Sequence, residues 1–152
     1  MPEYLQANHS LVLQCATSLG AVITHAKRKI MISYITVGSN DLAASATFFD
    51  ALFCAINGTR AFSLDNMIAY SFGPEKPKII VTTPYDGETA FHGNGTMVAL
   101  AAKDQDQVDA VHALAIELGA TDEGAPGNRG KHFYGGYFRD PDGNKFNVSV
   151  TV

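Results

Sequence analysis

The sequence predicts an α+β fold in which a β-α-β-β-β pattern occurs twice after an N-terminal helix. Three observations predict this fold: the hydrophobic content, the periodicity of the apolar residues, and the agreement between two parts of the chain. Of the 152 residues, 46% are hydrophobic and 17% are charged. A chain of this size and composition can fill a core without a disulfide or a metal ion, so a disordered protein is excluded.

Charge and cysteine content narrow the classes of partner. The formal net charge is −4, and acidic and basic residues are interspersed. Neither nucleic acid nor a membrane surface is therefore expected as a partner. Cys15 and Cys54 lie in apolar runs without metal-binding spacing. We expect them to be reduced packing residues, which indicates a cytoplasmic protein.

Residues 1–30 carry the apolar stripe of an amphipathic helix. The stripe recurs at helical spacing and consists of Leu5, Val12, Cys15, Leu19, Val22 and Ala26. This N-terminal helical extension is expected to pack either on its own domain or on another copy of the chain, which predicts a homodimer. An extension without a biochemical role is the alternative.

The first module covers residues 31–84. It begins with a strand at residues 32–37, and a helix follows that starts near Asp41 and ends at Gly58. Three strand-like runs then occupy residues 59–63, 67–72 and 78–83.

The second module covers residues 95–152 and repeats this order. A strand at residues 96–101 precedes a helix that Asp104 caps, with Gln107 in the capping-box position. Strand-like runs follow at residues 120–122, 133–139 and 145–150.

Fixed offsets relate the two modules. Seven residues lead from Tyr34 to Asp41 and also from Met97 to Asp104, so the first offset is 63. Later the offset is 67, and identical residues then coincide in four pairs: Tyr70 and Tyr137, Pro74 and Pro141, Lys78 and Lys145, Val81 and Val148. This agreement indicates a duplication.

The doubled pattern resembles the vicinal oxygen chelate superfamily, which includes glyoxalase I, bleomycin-resistance proteins and extradiol dioxygenases. The resemblance covers residues 31–152 and rests on residues 38–42 (GSNDL), 95–99 (GTMVA) and, most specifically, 140–144 (DPDGN). It implies that the two modules form a curled mixed sheet around a cavity, with the helices outside.

Strand parity supports this arrangement, because alternate side chains point to opposite faces. One parity is uniformly apolar and suits packing under helices: Ile35, Val37, Ile79, Val81, Val98, Leu100, Phe146, Val148 and Val150. The other parity is mixed, as expected for the wall of a ligand cavity: Tyr34, Thr36, Ile80, Thr82, Met97, Ala99, Lys145, Asn147 and Ser149.

The resemblance also implies where a divalent metal would bind. Its ligand positions fall on Tyr34, Ile80, Met97 and Asn147, where metal-binding relatives have His or Glu. These side chains supply no carboxylate, imidazole or thiolate donor. We therefore expect no metal and no other cofactor, and instead ligand contacts from Tyr34 and Asn147 beside apolar walls from Met97 and Ile80.

Further side chains are candidates for the ligand site. Tyr70 and Tyr137 are predicted either to flank the cavity or to fill the core. Residues 124–136 form a predicted long loop, either a flexible cover whose Arg129 and His132 meet an anionic ligand or a solvated loop.

Two other histidines have ordinary structural interpretations. His92 is predicted to be a polar loop residue, with an acid/base role as the alternative. His112 lies in a helix bearing many polar residues and is predicted to be partly exposed.

Three classes of function remain open. The first is a metal-free protein that binds a small organic ligand, similar to the bleomycin-resistance branch. The second is a metal-dependent enzyme, either a lyase of the lactoylglutathione lyase type or a dioxygenase. The third is a dimeric interaction module with a vestigial cavity.

Overall fold

The computed structural model describes residues 31–152. The predicted helix of residues 1–30 lies outside the described residues. The described chain contains these elements in order: β1 (Tyr34–Gly38), α1 (Leu42–Cys54), β2 (Thr59–Leu64), β3 (Met67–Ser71), β4 (Lys78–Thr82), β5 (Val98–Ala101), α2 (Gln105–Glu117), β6 (Thr121–Asn128), β7 (Phe133–Arg139) and β8 (Lys145–Thr151).

The strands form two four-stranded mixed sheets with the same topology. Their strand orders are β1-β4-β3-β2 and β5-β8-β7-β6. In each sheet the first strand is parallel to the last strand of its module, and the remaining neighbours are antiparallel. The predicted pair of β-α-β-β-β modules is therefore confirmed.

Both helices begin at the predicted aspartates. Asp41 Oδ1 accepts hydrogen bonds from the backbone N of Ala43 at 3.0 Å and of Ala44 at 2.9 Å. Asp104 Oδ1 accepts one from Gln107 N at 2.8 Å. Each cap satisfies amide groups that have no partner inside the helix, which fixes where the helix starts. Cys54, in contrast, is exposed at the end of α1, so its predicted packing role is wrong.

The predicted apolar parity forms one core under both helices. Val81 and Val148 occupy equivalent strand positions in the two sheets, and both are buried. Between the modules, the rings of Phe49 in α1 and Phe146 in β8 lie 5.7 Å apart. Because the aromatic contact crosses the boundary between the modules, the two sheets share a single hydrophobic interior.

The two tyrosines predicted to be equivalent lie on opposite faces of their sheets. Tyr70 pairs with the core residue Ile79, whereas Tyr137 pairs with Asn147 on the other face. The counterpart of Tyr70 is Phe138, which pairs with Phe146. Ile79 follows Tyr70 by nine positions, but Phe146 follows Phe138 by eight. The predicted equivalence is wrong because one additional residue reverses the face of every side chain before it.

The predicted long loop at residues 124–136 is a β-hairpin. β6 continues to Asn128 and β7 starts at Phe133, so residues 129–132 alone connect them. Irregularities in the β6–β7 pairing occur between Asp122 and Gly124 and between Gly124 and Gly127. The long flexible cover is therefore wrong as a prediction, because these bulges accommodate a glycine- and proline-containing segment within the ladder.

His112 is also placed differently from its prediction. Only 6% of the residue is exposed, and its Nε2 lies 3.3 Å from both the backbone O of Tyr137 and Asp122 Oδ1. A Cβ atom on Gly136 would lie 2.8 Å from the His112 ring. Because Gly136 has no side chain, α2 can pack closely against β7.

No helix within residues 31–152 has the length and apolar character needed to cross a membrane.

Candidate functional site

The face of the two sheets opposite the helices carries the predicted mixed parity, and we call it the open face. On β1 and β4 it includes Thr36 and Thr82, which are exposed and half-buried respectively. A cavity of about 550 Å³ lies over this part of the open face. Met67 of β3 forms part of its wall, and the segment after β4 borders it with Tyr85 and Phe91, which are both highly exposed.

A smaller cavity of about 210 Å³ adjoins the first one between the modules. Thr36, Gly38 and Phe91 line both cavities. Met97 and Lys145 from the second module complete the smaller one. We call these two adjoining cavities together the hollow. It extends from the open face of the first module to the edge of the second.

Another cavity, of about 230 Å³, lies near the start of β1 and the end of β5. It is lined by Ile35 and Ile79 of the first module and by Leu100 of the second. β1 and β5 belong to different sheets, so no sheet hydrogen bond joins these two strands.

The DPDGN segment forms the turn between β7 and β8. Asp140 is buried, and its carboxylate accepts hydrogen bonds from Asn144 N and Asn144 Nδ2, each at 2.8 Å. Burial raises the pKa of Asp140 to about 6, although the hydrogen bonds from Asn144 oppose this shift.

The same turn connects the second module to the first. Asp142 Oδ1 accepts hydrogen bonds from Asn40 N at 2.9 Å and Asn40 Nδ2 at 3.0 Å. Its Oδ2 accepts one from Ser45 Oγ at 3.0 Å. Asn144 Nδ2 also donates to Gly38 O at 2.9 Å. The motif that carried the resemblance thus holds the two modules together and forms part of the wall of the smaller cavity.

The open face of the second module bears basic side chains around Tyr137. The Arg129 guanidinium carbon lies 5.7 Å from the centroid of this ring, and Lys145 Nζ lies 5.8 Å from it. Glu123 forms ion pairs with Lys145 at 2.6 Å and with Arg139 at 2.5 Å. Hydrogen bonds from Lys145 and Arg139 lower the pKa of Glu123, so this carboxylate is ionised. We call Arg129, Arg139 and Lys145 the basic cluster.

Tyr70 does not face the hollow. Its ring is buried against Phe49 and Phe53, and its hydroxyl donates to Asp50 Oδ1 at 3.0 Å. Arg60 also binds both oxygens of Asp50, which lowers the pKa of this carboxyl. Tyr70 therefore connects the core to a surface ion pair.

The two candidate histidines, His132 and His92, differ in their position relative to the hollow. His132 lies in the turn between β6 and β7, where its Nδ1 is 3.3 Å from Val152 O. It lines neither cavity of the hollow. His92 does line the smaller cavity, and a Cβ atom on Gly143 would lie 2.6 Å from its Nδ1.

Comparison with known proteins identifies the family. The model of the glyoxalase-like domain matches residues 34–149. The chain belongs to the glyoxalase-like domain family. This membership confirms the resemblance to the vicinal oxygen chelate superfamily.

Solved structures share this fold, and one of them, at 39% identity, agrees with the family membership. A glyoxalase/bleomycin resistance protein from Albidiferax ferrireducens T118 is 39% identical, with 78% of this chain and 97% of that protein covered at a TM-score of 0.73. A glyoxalase/bleomycin resistance protein/dioxygenase family enzyme from Burkholderia phytofirmans PsJN is 19% identical, with coverages of 79% and 98% and a TM-score of 0.66.

A lactoylglutathione lyase from Agrobacterium tumefaciens shares the fold at 19% identity, with 81% of this chain and 95% of that protein covered at a TM-score of 0.60. No curated protein matches the sequence.

The four positions at which the resemblance implies metal ligands differ in accessibility. Tyr34 is 59% exposed and Met97 is 44% exposed, whereas Ile80 is half-buried. Asn147 is only 1% exposed, and its Nδ2 donates to Gly136 O at 3.0 Å. The Asn147 amide is therefore already used within the sheet.

This donor set does not fit a divalent metal ion. Ile80 has no donor atom, Met97 has a neutral thioether, and Asn147 has an uncharged amide. Within residues 31–152, no three His, Cys, Asp or Glu side chains form a group that could hold a metal ion. Of the four predicted positions, Met97 lines the smaller cavity, whereas Tyr34, Ile80 and Asn147 line neither cavity.

Sequence reasoning missed the segment between the modules. Tyr85 and Phe91 border the larger cavity, yet neither belongs to a strand or a helix. The length of this connection was the available signal, since connections of more than about 12 residues often carry function.

Proposed function

We propose that this glyoxalase-like protein binds a small organic molecule on its open face and does so without a metal ion. The observation that carries the proposal is the pair of adjoining cavities, of about 550 and 210 Å³, that share Thr36, Gly38 and Phe91. Sites for small ligands have volumes of about 300 to 1,000 Å³, so the hollow is large enough for such a molecule.

The composition of the wall supports an organic ligand. Met67, Tyr85 and Phe91 offer apolar surface, and Thr36 offers a hydroxyl group. The Thr82 hydroxyl donates to Asn66 O at 2.8 Å and can still accept a hydrogen bond. A mostly apolar wall with a few polar groups is typical of sites that bind organic molecules. The side chains at the four metal positions support binding that does not need an ion.

Blocking the hollow tests the location of the site. Thr36 faces both cavities, so Thr36→Phe should fill the passage between them. A library of small aromatic and aliphatic compounds is first screened against chelator-treated protein by thermal shift, and the affinities of the hits are measured by calorimetry. We expect Thr36→Phe to lower these affinities by about tenfold or more.

Thr47→Phe is the matched control. Thr47 lies on the exposed side of α1, where its hydroxyl donates to Ala43 O at 3.2 Å. This variant introduces the same ring away from the hollow and should retain the affinities. Equal affinities for the two variants would place binding elsewhere and contradict the proposal.

Adding metal tests the second half of the proposal. The affinities should not change when Mn²⁺, Fe²⁺, Ni²⁺ or Zn²⁺ is supplied to the chelated protein. Binding that appears only with one of these ions, or metal-restored turnover of a glutathione hemithioacetal or a catechol, would instead support a metal-dependent enzyme.

A further inference from the structure

We infer that the ligand of this site is a small organic acid whose anionic group binds beside Arg129, Tyr137 and Lys145. The inference rests on the proposed function and names the class of its ligand. It comes from three features of the open face: the arrangement of cations around one aromatic ring, the incomplete neutralisation of those cations, and the opposite charge at the far end of the hollow.

The first feature is the geometry around Tyr137. This residue pairs with Asn147, so its ring projects from the open face of the second module. Arg129 and Lys145 both approach the ring, at 5.7 and 5.8 Å from its centroid. Lys145 also lines the smaller cavity. One side chain thus belongs both to the hollow and to the basic cluster, so an anionic group of a ligand in the smaller cavity can contact the cluster.

The second feature is an excess of positive charge. Glu123 forms ion pairs with Arg139 and Lys145. The three positive charges of the basic cluster are therefore paired with one carboxylate. Within residues 31–152, Arg129 donates to the backbone O of Ala125 at 2.8 Å and forms no ion pair. A guanidinium that forms no ion pair can donate two parallel hydrogen bonds to a carboxylate or a phosphate.

The third feature is the charge at the other end of the hollow. Asp86 and Glu88 line the larger cavity, and neither forms an ion pair within the described part of the chain. They repel an anionic group from the first module, while Met67, Tyr85 and Phe91 offer apolar surface there. These charges favour a ligand whose apolar body lies in the larger cavity and whose acid group points toward the basic cluster.

The test compares acids with a neutral analogue of the same shape. The probes are 3-phenylpropanoate, its amide 3-phenylpropanamide, and phenyl phosphate. Their affinities for the full chain, treated with chelator, are measured by calorimetry at low and high salt. We expect one of the acids to bind about tenfold or more tightly than the amide, because hydrogen bonds to charged groups are stronger than neutral ones. The acid that binds more tightly distinguishes a carboxylate ligand from a phosphate ligand.

Three charge variants separate direct contact from long-range attraction. Arg129→Gln should remove most of the preference for the acid. Lys131→Gln removes the same charge from the same turn, where Lys131 is exposed, and should keep the preference. Because Arg129 also binds Ala125 O, Lys145→Gln serves as a second variant that leaves the turn intact, and it should also lower the preference.

Two outcomes overturn the inference. One is equal binding of the amide and both acids. The other is an equal loss of preference in Arg129→Gln and Lys131→Gln, which would reflect general electrostatics. In either case neutral compounds would still bind the chelated protein and lose affinity in Thr36→Phe if the proposed function holds. If ligand binding required a metal ion, the proposed function itself would be refuted.

Discussion

Asp140 shows how one buried carboxyl group can set the pH response of a turn. It is inaccessible to solvent apart from 3% of its surface, and both of its oxygens bind Asn144. Burial disfavours the charged form and is the largest cause of its raised pKa, while the nearby charge of Asp142 adds to the shift. The protonated form is therefore favoured more in the folded chain than in the unfolded chain.

A dependence of stability on pH follows from this difference. As pH rises from the ordinary pKa of 3.8 toward about 6, the unfolded chain loses the Asp140 proton before the folded chain does. The contribution of Asp140 to stability is therefore fully present below the unfolded-state pKa of 3.8 and is lost as the pH rises through the folded-state pKa of about 6. Asp140→Asn removes this titration.

The measurement is the free energy of unfolding in urea at pH values from 4 to 7. Relative to Asp140→Asn, the natural protein should lose on the order of 2 to 3 kcal/mol across this interval. A difference between the two proteins that stays constant with pH would contradict the placement of the Asp140 carboxyl in a desolvated turn.

Single residues also mark where sequence reasoning fails. The chemistry of Tyr34, Ile80, Met97 and Asn147 was legible from the sequence, because residue type alone determines which donors exist. The sheet faces on which Tyr70 and Tyr137 lie could not be predicted. The offset of 67 residues between the modules relates β4 to β8 but does not relate the strands before them. A register that depends on the length of one turn cannot be read from matching residues alone.

At the scale of elements, the turn between β7 and β8 acts as a connector between modules. Asp142 accepts three hydrogen bonds from Asn40 and Ser45, which belong to the other module. Hydrogen bonds to a charged acceptor are stronger than those between neutral groups. The turn should therefore contribute to the stability of the whole described domain.

Asp142→Ala tests this role. The variant removes the acceptor of Asn40 N and one of the two acceptors of Asn40 Nδ2, and we expect it to lower the free energy of unfolding by about 2 to 3 kcal/mol. Asp86→Ala is the control, because Asp86 is exposed and its side chain accepts one hydrogen bond, from Glu88 N. The control should cost about 0.5 kcal/mol or less. Similar losses in both variants would argue against a connecting role.

Elements with strong local signals were predictable. Asp41 and Asp104 marked both helix starts because a capping carboxylate is a local requirement. The strands of the core followed from their alternation of apolar residues. β6 was missed beyond Asp122, because residues 124–128 combine glycine, alanine and proline in a way typical of loops, and only pairing with β7 makes them a strand.

At the scale of the molecule, one interior connects both modules. Phe49 is 1% exposed and contacts Phe53 and Tyr70 of its own module as well as Phe146 of the other. Removing this ring therefore weakens packing on both sides of the boundary. Stability should be a property of the two modules together and not of each separately.

Phe49→Ala tests this expectation by hydrogen exchange. The variant should lose about 3 to 5 kcal/mol, and the slowest amides of β8 should lose as much protection as those of β4. Phe62→Ala is the matched control, because Phe62 is exposed on β2 and should cost far less. If only the amides of the first module lost protection in Phe49→Ala, the modules would unfold independently.

The candidate site was predictable in kind but not in position. Strand parity located the open face, because the uniformly apolar parity had to cover the core. It could not locate the hollow along that face, since the segment containing Tyr85 and Phe91 has no periodicity. It also could not bring Arg129 and Lys145 to one ring, because that contact depends on the β6–β7 hairpin.

The separation of β1 from β5 has a mechanical consequence. The modules are joined by the aromatic core and by the side chains of the turn between β7 and β8, whereas β1 and β5 are not paired in a sheet. A change in the angle between the sheets would widen or narrow the hollow without breaking a rung of either ladder. Such a change would act on side-chain contacts across the boundary, such as the hydrogen bond from Asn144 Nδ2 to Gly38 O, and not on the main-chain hydrogen bonds within either sheet.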